Sequence, residues 1–558
     1  MTMDAEIAPP ALPGWMALSS ATAVLAACGG GAGDSAPAAT PAPTPAPTPA
    51  APPAPAMLTD GAAARFLGQA GFAASTLEIA AVKAKGYSAW LDDQFASPRS
   101  TPSHFDWMLA RGYGAVDYKN SFAGVDNTLW RKALSAPDQL RQRVVLALSE
   151  IFVISMLGLP VTWRGMAVAA YLDMLDERAF GTYRDLLEGV TLSCGMGVYL
   201  NLRGNLKEDS KTGRVPDENY AREVMQLLSI GLVQLSLDGS AVLDASGKPR
   251  ETYSQTDVSN LARVFTGWDF DGASATDPAF MNKPMVNTAA KFSTGAKKVL
   301  AVDIPAAADG PGAMKTALDT LASHPNVGPF LGRQLIQRLV CSHPSPAYVQ
   351  RVATVFQSTG GDLKAVIKAV LQDSEARTLS GAPGAGKLRE PVQRFIQWGR
   401  SFGVSSATGL WNVGDTSNPA TRLGQSPLRS PSVFNFFRPG YVPPNSVLGT
   451  NSVTAPEFQL CNESTVAGYL NFMQTVIASG IGEVKPSYTA EIALAADAQV
   501  LLDHVALLLA ANGLSDATRA TISTAVAAIK PDTDAGKLDR VHATVLLVMA
   551  SPEYLIQK

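Results

Sequence analysis

Apolar residues recur along most of this chain at the three- to four-residue spacing of helix faces, and few stretches alternate as strands do. Arg141 to Ser155 (RQRVVLALSEIFVIS) is apolar nearly all round, which predicts a helix buried at the centre of the fold. Ala167 to Leu175 and Tyr183 to Leu192 continue the pattern, with Gly181 between them. Gly328 to Val340, Ala347 to Gln357 and Leu363 to Leu371 predict three more helices. Ala498 to Ala511 should stop at Asn512-Gly513, and Ser515 is placed to cap a helix running to about Ile529. Ser254-Gln255-Thr256-Asp257 reads as a capping box that opens a helix ending at Gly267. The strand signal is short. Leu232 to Leu237 alternates weakly into Asp238-Gly239, a second turn follows at Ser246-Gly247-Lys248-Pro249, and together they predict one small hairpin. Asn201 to Pro216, Asp269 to Phe292 and Gln425 to Glu457 read as long loops, which on a rigid scaffold often line a site. The predicted fold is therefore mainly α: a large all-helical body with one small β-hairpin and several long loops. A core body over 58–485 would carry a C-terminal helical subdomain, 486–558, packed on it.

Composition supports a substantial core, since 46% of residues are hydrophobic and only 17% are charged. The net charge of −3, with no basic tract, argues against nucleic acid as a partner. Ahead of the helical body the pattern changes. Leu25-Ala26-Ala27-Cys28, behind a short apolar run from Trp15, looks like a bacterial lipoprotein processing site. The apolar run is too short to span a bilayer, and the segment before it carries Asp4 and Glu6 but no Lys or Arg, unlike an ordinary signal peptide. From Ala36 to Ala56, Pro-Ala-Pro-Thr units favour an extended polyproline spacer. The expectation is a signal peptide over 1–28, lipidation at Cys28, a disordered linker over 29–57, and a body tethered in the cell envelope, at its periplasmic face or outer membrane. Cys194, Cys341 and Cys461 are expected to be buried small residues, with one disulfide left open as an alternative.

Candidate chemistry is sparse. Gly381 to Lys387 fits the first part of a phosphate-binding loop, but Leu388 stands where a hydroxyl should hold Mg²⁺, so no nucleotide is expected. On a helix starting near Pro216, the residues Glu218, Asn219, Arg222, Glu223 and Gln226 share one face. If that face looked into a cleft, Glu218 or Glu223 would be placed for general acid–base work, with Asp257 and His324 as further candidates. As a solvated face it would simply carry an oriented ion pair. Arg333, Gln334 and Arg338 are donors spaced for one helix face and suited to an anionic ligand. Arg263, Arg389 and Glu390 are further binding candidates, as is Trp268, which could meet Trp398 and Trp411 in the fold. Asp269 and Asp271 could hold Ca²⁺ but read first as a solvated turn, so neither metal nor cofactor is expected.

Several of these segments, in this order, resemble an uncharacterised bacterial family, domain of unknown function 1800. They are Ala64 to Phe72, Arg143 to Ser155, Ala179 to Leu187, Pro216 to Gly231, Thr252 to Trp268 and His324 to Val340, then Lys387 to Pro391, Ser430 to Pro439 and Ser551 to Tyr554. The resemblance implies a largely helical, commonly exported protein, often encoded beside a second uncharacterised family that resembles sulfatases, so a sulfatase-like companion is an expected partner. It carries over no reaction and no catalytic residue. Many members have His where this chain has Cys194 and Phe292. Two functions remain open: an envelope-anchored binding or assembly component, or an envelope hydrolase or lyase acting on a polymer through the carboxylate, Arg and His candidates.

Overall fold

In the computed structural model the described residues are 58–381 and 384–558, and they hold twenty-three α-helices joined by loops, short 3-10 turns and four two-stranded sheets. The predicted signal peptide, Cys28 and linker lie outside the described residues. From residue 58 onward the chain forms one compact unit, and a single hydrophobic cluster runs through it from Ala63 to Tyr554. Among the described residues no helix is long and apolar enough to cross a membrane.

The central helix is Gln139–Ile151, and it is buried on every side, including its charged residues Arg141, Arg143 and Glu150. Around it pack Arg164–Arg178, Val327–Leu339 and the early helix Thr76–Ala96. Most expected helices fall within a few residues of their sequence signals: Tyr183–Leu192, Pro346–Ser358, Leu363–Gln372 and Ala498–Ala510. The capping chemistry explains the agreement. Ser254 accepts from the Asp257 backbone while the Asp257 side chain accepts from the Ser254 backbone, and the helix Gln255–Val264 follows. Ser515 caps Asp516–Ala527 in the same region of the chain where it was expected to.

The β structure is richer than one hairpin. Lys297–Val299 pairs antiparallel with Val302–Ile304, and Trp268–Asp269 with Val286–Asn287. Lys387–Leu388 pairs with the C-terminal Ile556–Gln557, and Ser405–Ser406 with Val484–Lys485. The expected hairpin over residues 232–252 is a three-segment finger. Val242 N–H donates to Gln234, Gln234 N–H to Arg250 and Arg250 N–H to Val242, closing a ring of backbone hydrogen bonds of 2.8, 2.8 and 2.9 Å. Two-residue strands such as Lys387–Leu388 have no periodicity to detect, so only the finger left a signal.

The finger is fixed to the body by one side chain. Asn326, 2% exposed, donates to the carbonyls of Ile230 and Val233 (2.9 and 2.7 Å) and accepts from Leu235 N–H at 3.0 Å. Asn326→Ala leaves three backbone groups unpaired and should cost about 2–4 kcal/mol. The urea midpoint of the full chain measures this, and an unchanged midpoint would show that the finger is held in some other way.

Candidate functional site

The expected acid–base face does form on a helix, Asn219–Gln226, with Glu218 at its N-cap. The Glu218 carboxylate is fully engaged: Ser259 and Gln255 of the neighbouring helix donate to it at 2.6 and 2.8 Å, and Arg222 at 3.1 Å. The Ser259 hydroxyl, then the Gln255 amide and Arg222, hold its carboxyl below the usual range, which unsuits it as a proton donor at neutral pH. Asn219 starts the helix, its backbone N–H donating to Asp217 at 2.8 Å. Glu223 is half-buried, one of its oxygens has no hydrogen-bond partner, and burial raises its carboxyl.

The other catalytic candidates serve their own local structure. Asp257 caps its helix and accepts from Leu300 N–H at 2.9 Å. His324 Nδ1 accepts from Asn326 N–H at 3.1 Å, and burial lowers its imidazole below the ordinary value. Among the described residues, no hydrogen bond or ion pair joins Asp257 or His324 to the Glu218–Glu223 face. Arg263 pins the loop after Trp268–Asp269 through Ser293 and the carbonyls of Thr294 and Ala296. Arg333 is largely withdrawn from water, and burial depresses its guanidinium, while Gln334 is buried beside it. Trp268 is buried in its short strand, Trp398 donates to the Tyr488 hydroxyl, and Trp411 N–H donates to Ser406, so each tryptophan is held in a different place. Asp269 is paired with Arg203 at 2.8 Å and Lys291 at 3.6 Å, and Asp271 with Lys283 at 3.5 Å.

Two of the binding candidates do converge, in the core. Arg338 and Glu390 meet Arg143, Glu150, Lys387 and Glu457, a set in which all are at most 6% exposed, while Arg389 turns to Gln397 and the Leu509 carbonyl and borders the cluster through a cavity shared with Arg143. Arg338 Nε lies 3.1 Å from Glu150, and Lys387 lies 3.6 Å from Glu390 and 3.4 Å from Glu457. Two carbonyl contacts join the cations: Arg143 and Lys387 both donate to the Arg338 carbonyl, at 2.6 and 3.0 Å. Gln393 and Gln425 each donate to Glu390 at 2.7 Å, and Ser342 donates to Glu457 at 2.7 Å. Glu150 and Glu390 also share a hydrogen bond, which requires one of them to carry a proton. The proton belongs on Glu150: burial and the Glu390 charge raise its carboxyl well above the usual range. Burial pushes Glu390 the same way, but Lys387 and the donated hydrogen bonds outweigh it and hold that carboxyl low. Lys387 is thus committed to its two glutamates.

The sequence left part of this cluster in view. Arg143 and Glu150 are charges inside an otherwise apolar run, and such charges must find partners when buried. Glu457 sits in the 3-10 turn Pro456–Leu460 and carried no signal.

Among the described residues, two open clefts on the surface stand out by volume. One, of about 800 Å³, runs between the helix Asp60–Ala70, the end of Ala498–Ala510 and the C-terminal residues, and Arg389 and Gln397 form part of its wall. At its inner end a water-sized cavity of about 10 Å³ shares Gly68, Arg389, Gln397 and Gln557 with the cleft and reaches Arg143 and Gln393 of the buried cluster. The other cleft, of about 450 Å³, contains Cys194, whose thiol is pushed by burial up to about 12 and is therefore a poor nucleophile. No disulfide forms among the described residues. Of the three cysteines expected to be buried, Cys194 is buried and Cys341 partly so, but Cys461 is exposed because it lies at the edge of a loop before Glu463–Ser479. Among the described residues no group of His, Cys, Asp and Glu is arranged to hold a metal ion.

A family model described as "Protein of unknown function (DUF1800)" matches residues 65–556. No curated protein and no solved structure matches the chain.

The two buried glutamates should respond oppositely to amidation. Glu390 has a lowered carboxyl, so its contribution to stability is present above its unfolded pKa of about 4.3 and is lost as pH falls through its folded value. Glu150 is raised, so its contribution is complete below about pH 4.3 and is lost as pH rises through its folded value. At neutral pH Glu390→Gln should cost about 3–5 kcal/mol, because Lys387 loses a buried partner, whereas Glu150→Gln should be neutral or stabilising. Unfolding free energies of both variants between about pH 5 and pH 8 test this, and equal losses would overturn the assigned proton.

Proposed function

The chain belongs to this family of unknown function, and we propose that it is an envelope-tethered binding component whose helical body takes a ligand in the cleft beside Asp60–Ala70. One observation carries the reading. The residues that would perform acid–base chemistry are engaged separately, Glu218 by Ser259, Gln255 and Arg222, Asp257 and His324 by backbone N–H groups. The cleft, by contrast, is open and within the range of about 300–1,000 Å³ typical of ligand sites. The tether is Cys28, and a sulfatase-like companion is the partner that the family resemblance suggests. The alternative, a polymer-directed hydrolase or lyase, has Glu223 in its favour, a half-buried carboxylate with a raised pKa and one unpaired oxygen.

Leu379 is exposed at the cleft and supplies an apolar contact there. Leu379→Asp should leave the fold intact and deplete whatever the full chain retains from envelope extract, whereas Glu223→Gln should retain it unchanged. The reverse pattern would favour the enzyme. Separately, Cys28→Ala should move the full chain from the membrane fraction to the supernatant, and an unchanged membrane fraction would rule out the lipid tether.

A further inference from the structure

We infer that the inner end of the large cleft is an anion subsite, where Arg143 and Arg389 receive a terminal oxygen of an acidic group on the ligand. The inference rests on the cleft being the ligand site. It adds the chemistry of the ligand: a carboxylate, phosphate or sulfate group on a molecule whose remainder occupies the 800 Å³ cleft.

Three features support it. The first is unused donor capacity. Arg143 is 1% exposed and lines the small cavity, yet its Nη1 has no hydrogen-bond partner, and Nε of Arg389 has none either. Buried guanidinium N–H groups without partners are costly unless a ligand supplies them. The rest of each side chain is anchored, Arg143 to the Arg338 carbonyl at 2.6 Å, Arg389 to Gln397 and the Leu509 carbonyl at 2.6 and 2.9 Å, so the free N–H groups are positioned in advance.

The second is charge. Three cations, Arg143, Arg338 and Lys387, lie among three glutamates, one of which shares its proton with its neighbour, and among the described residues Arg389 at the cavity wall has no carboxylate partner. Two carboxylates then face three cations, with Arg389 beside them, and an anion is the charge this end of the cleft lacks.

The third is shape. The cavity has room for one oxygen-sized group rather than a whole phosphate, so the acid inserts by its tip. Gly68 lines both cavity and cleft, and a Cβ built there meets no atom within 4 Å, so an alanine at this position would place its methyl in the open space between them without a clash.

Gly68 also supplies the cleanest test, because it lies within the helix Asp60–Ala70, where alanine is the better helix former. Inorganic phosphate, inorganic sulfate and acetate are titrated into the full chain at constant ionic strength, with heat of binding and thermal midpoint as readouts. At least one anion should bind saturably and raise the midpoint, and the arm that does so names the acid. Gly68→Ala should not lower the anion-free midpoint but should weaken the anion at least tenfold, and Arg389→Gln should abolish the response. No response to any of the three, or an undiminished response in both variants, overturns the subsite. A retained envelope ligand that is still sensitive to Leu379→Asp would then show that the cleft binds by other means, whereas its loss as well would remove the cleft itself.

Discussion

The fold is organised around a set of charges that water cannot reach. Arg143 and Glu150 come from the central helix Gln139–Ile151, Arg338 from Val327–Leu339, Lys387 from a two-residue strand, Glu390 from the cap of Pro391–Ser401 and Glu457 from the 3-10 turn Pro456–Leu460. Each of these groups, the ions and the protonated Glu150 alike, would be costly to bury alone, so none of these elements can take its place until the others have. That mutual requirement accounts for order where the sequence suggests none. The long loop over 425–457 is fixed at both ends by the cluster, through Gln425 on Glu390 and Glu457 on Lys387. The C-terminus is held in the same way: Ile556–Gln557 pairs with Lys387–Leu388, and the Gln557 amide donates to the Leu339 and Val340 carbonyls.

The same cluster connects core to surface. Arg389 borders it on the side of the cleft, with its guanidinium over the Tyr554 ring at 4.8 Å and its Nη1 on the end of Ala498–Ala510. The N-terminal helix, the C-terminal helices and the strand at Lys387 thus meet where the cleft narrows. A wall built from both ends of the folded chain is rigid only if those ends are pinned, and the buried charges pin them.

Helices were legible in the sequence because their signals are local: apolar spacing, a capping box at Ser254, a cap at Ser515. The site was legible only in part. The helical face carrying Glu218, Arg222 and Glu223 forms as its spacing requires. What spacing cannot reveal is the element packed across from it, and Gln255 and Ser259 of the next helix are what convert a possible acid into a tied carboxylate. Arg338, Arg389 and Glu390 were recognisable as polar residues in segments that otherwise bury. Their packing depends on contacts between residues far apart in the chain, 188 positions for Arg338 with Glu150 and 250 for Arg143 with Gln393, and no local pattern encodes those.

The polar groups of the large cleft bear on what it can do chemically. Its acidic residues differ: Asp60 pairs with Lys83 at 2.6 Å, and one oxygen of Glu553 accepts from Ser515 N–H and the Thr518 hydroxyl at 3.1 and 2.8 Å, while its other oxygen is buried without a partner. A general base must accept a proton from its substrate, and a carboxylate already saturated with donors has to break those bonds first. A binding site has the opposite need, for groups fixed in place with one bond still to make. Asp60 is spent on the scaffold, whereas Glu553 keeps one unpaired oxygen and Arg389 an unpaired N–H beside a fixed framework. A fixed Arg389 cation with an N–H still to pair suits the binding reading proposed above, in which a ligand is selected by its charge and shape.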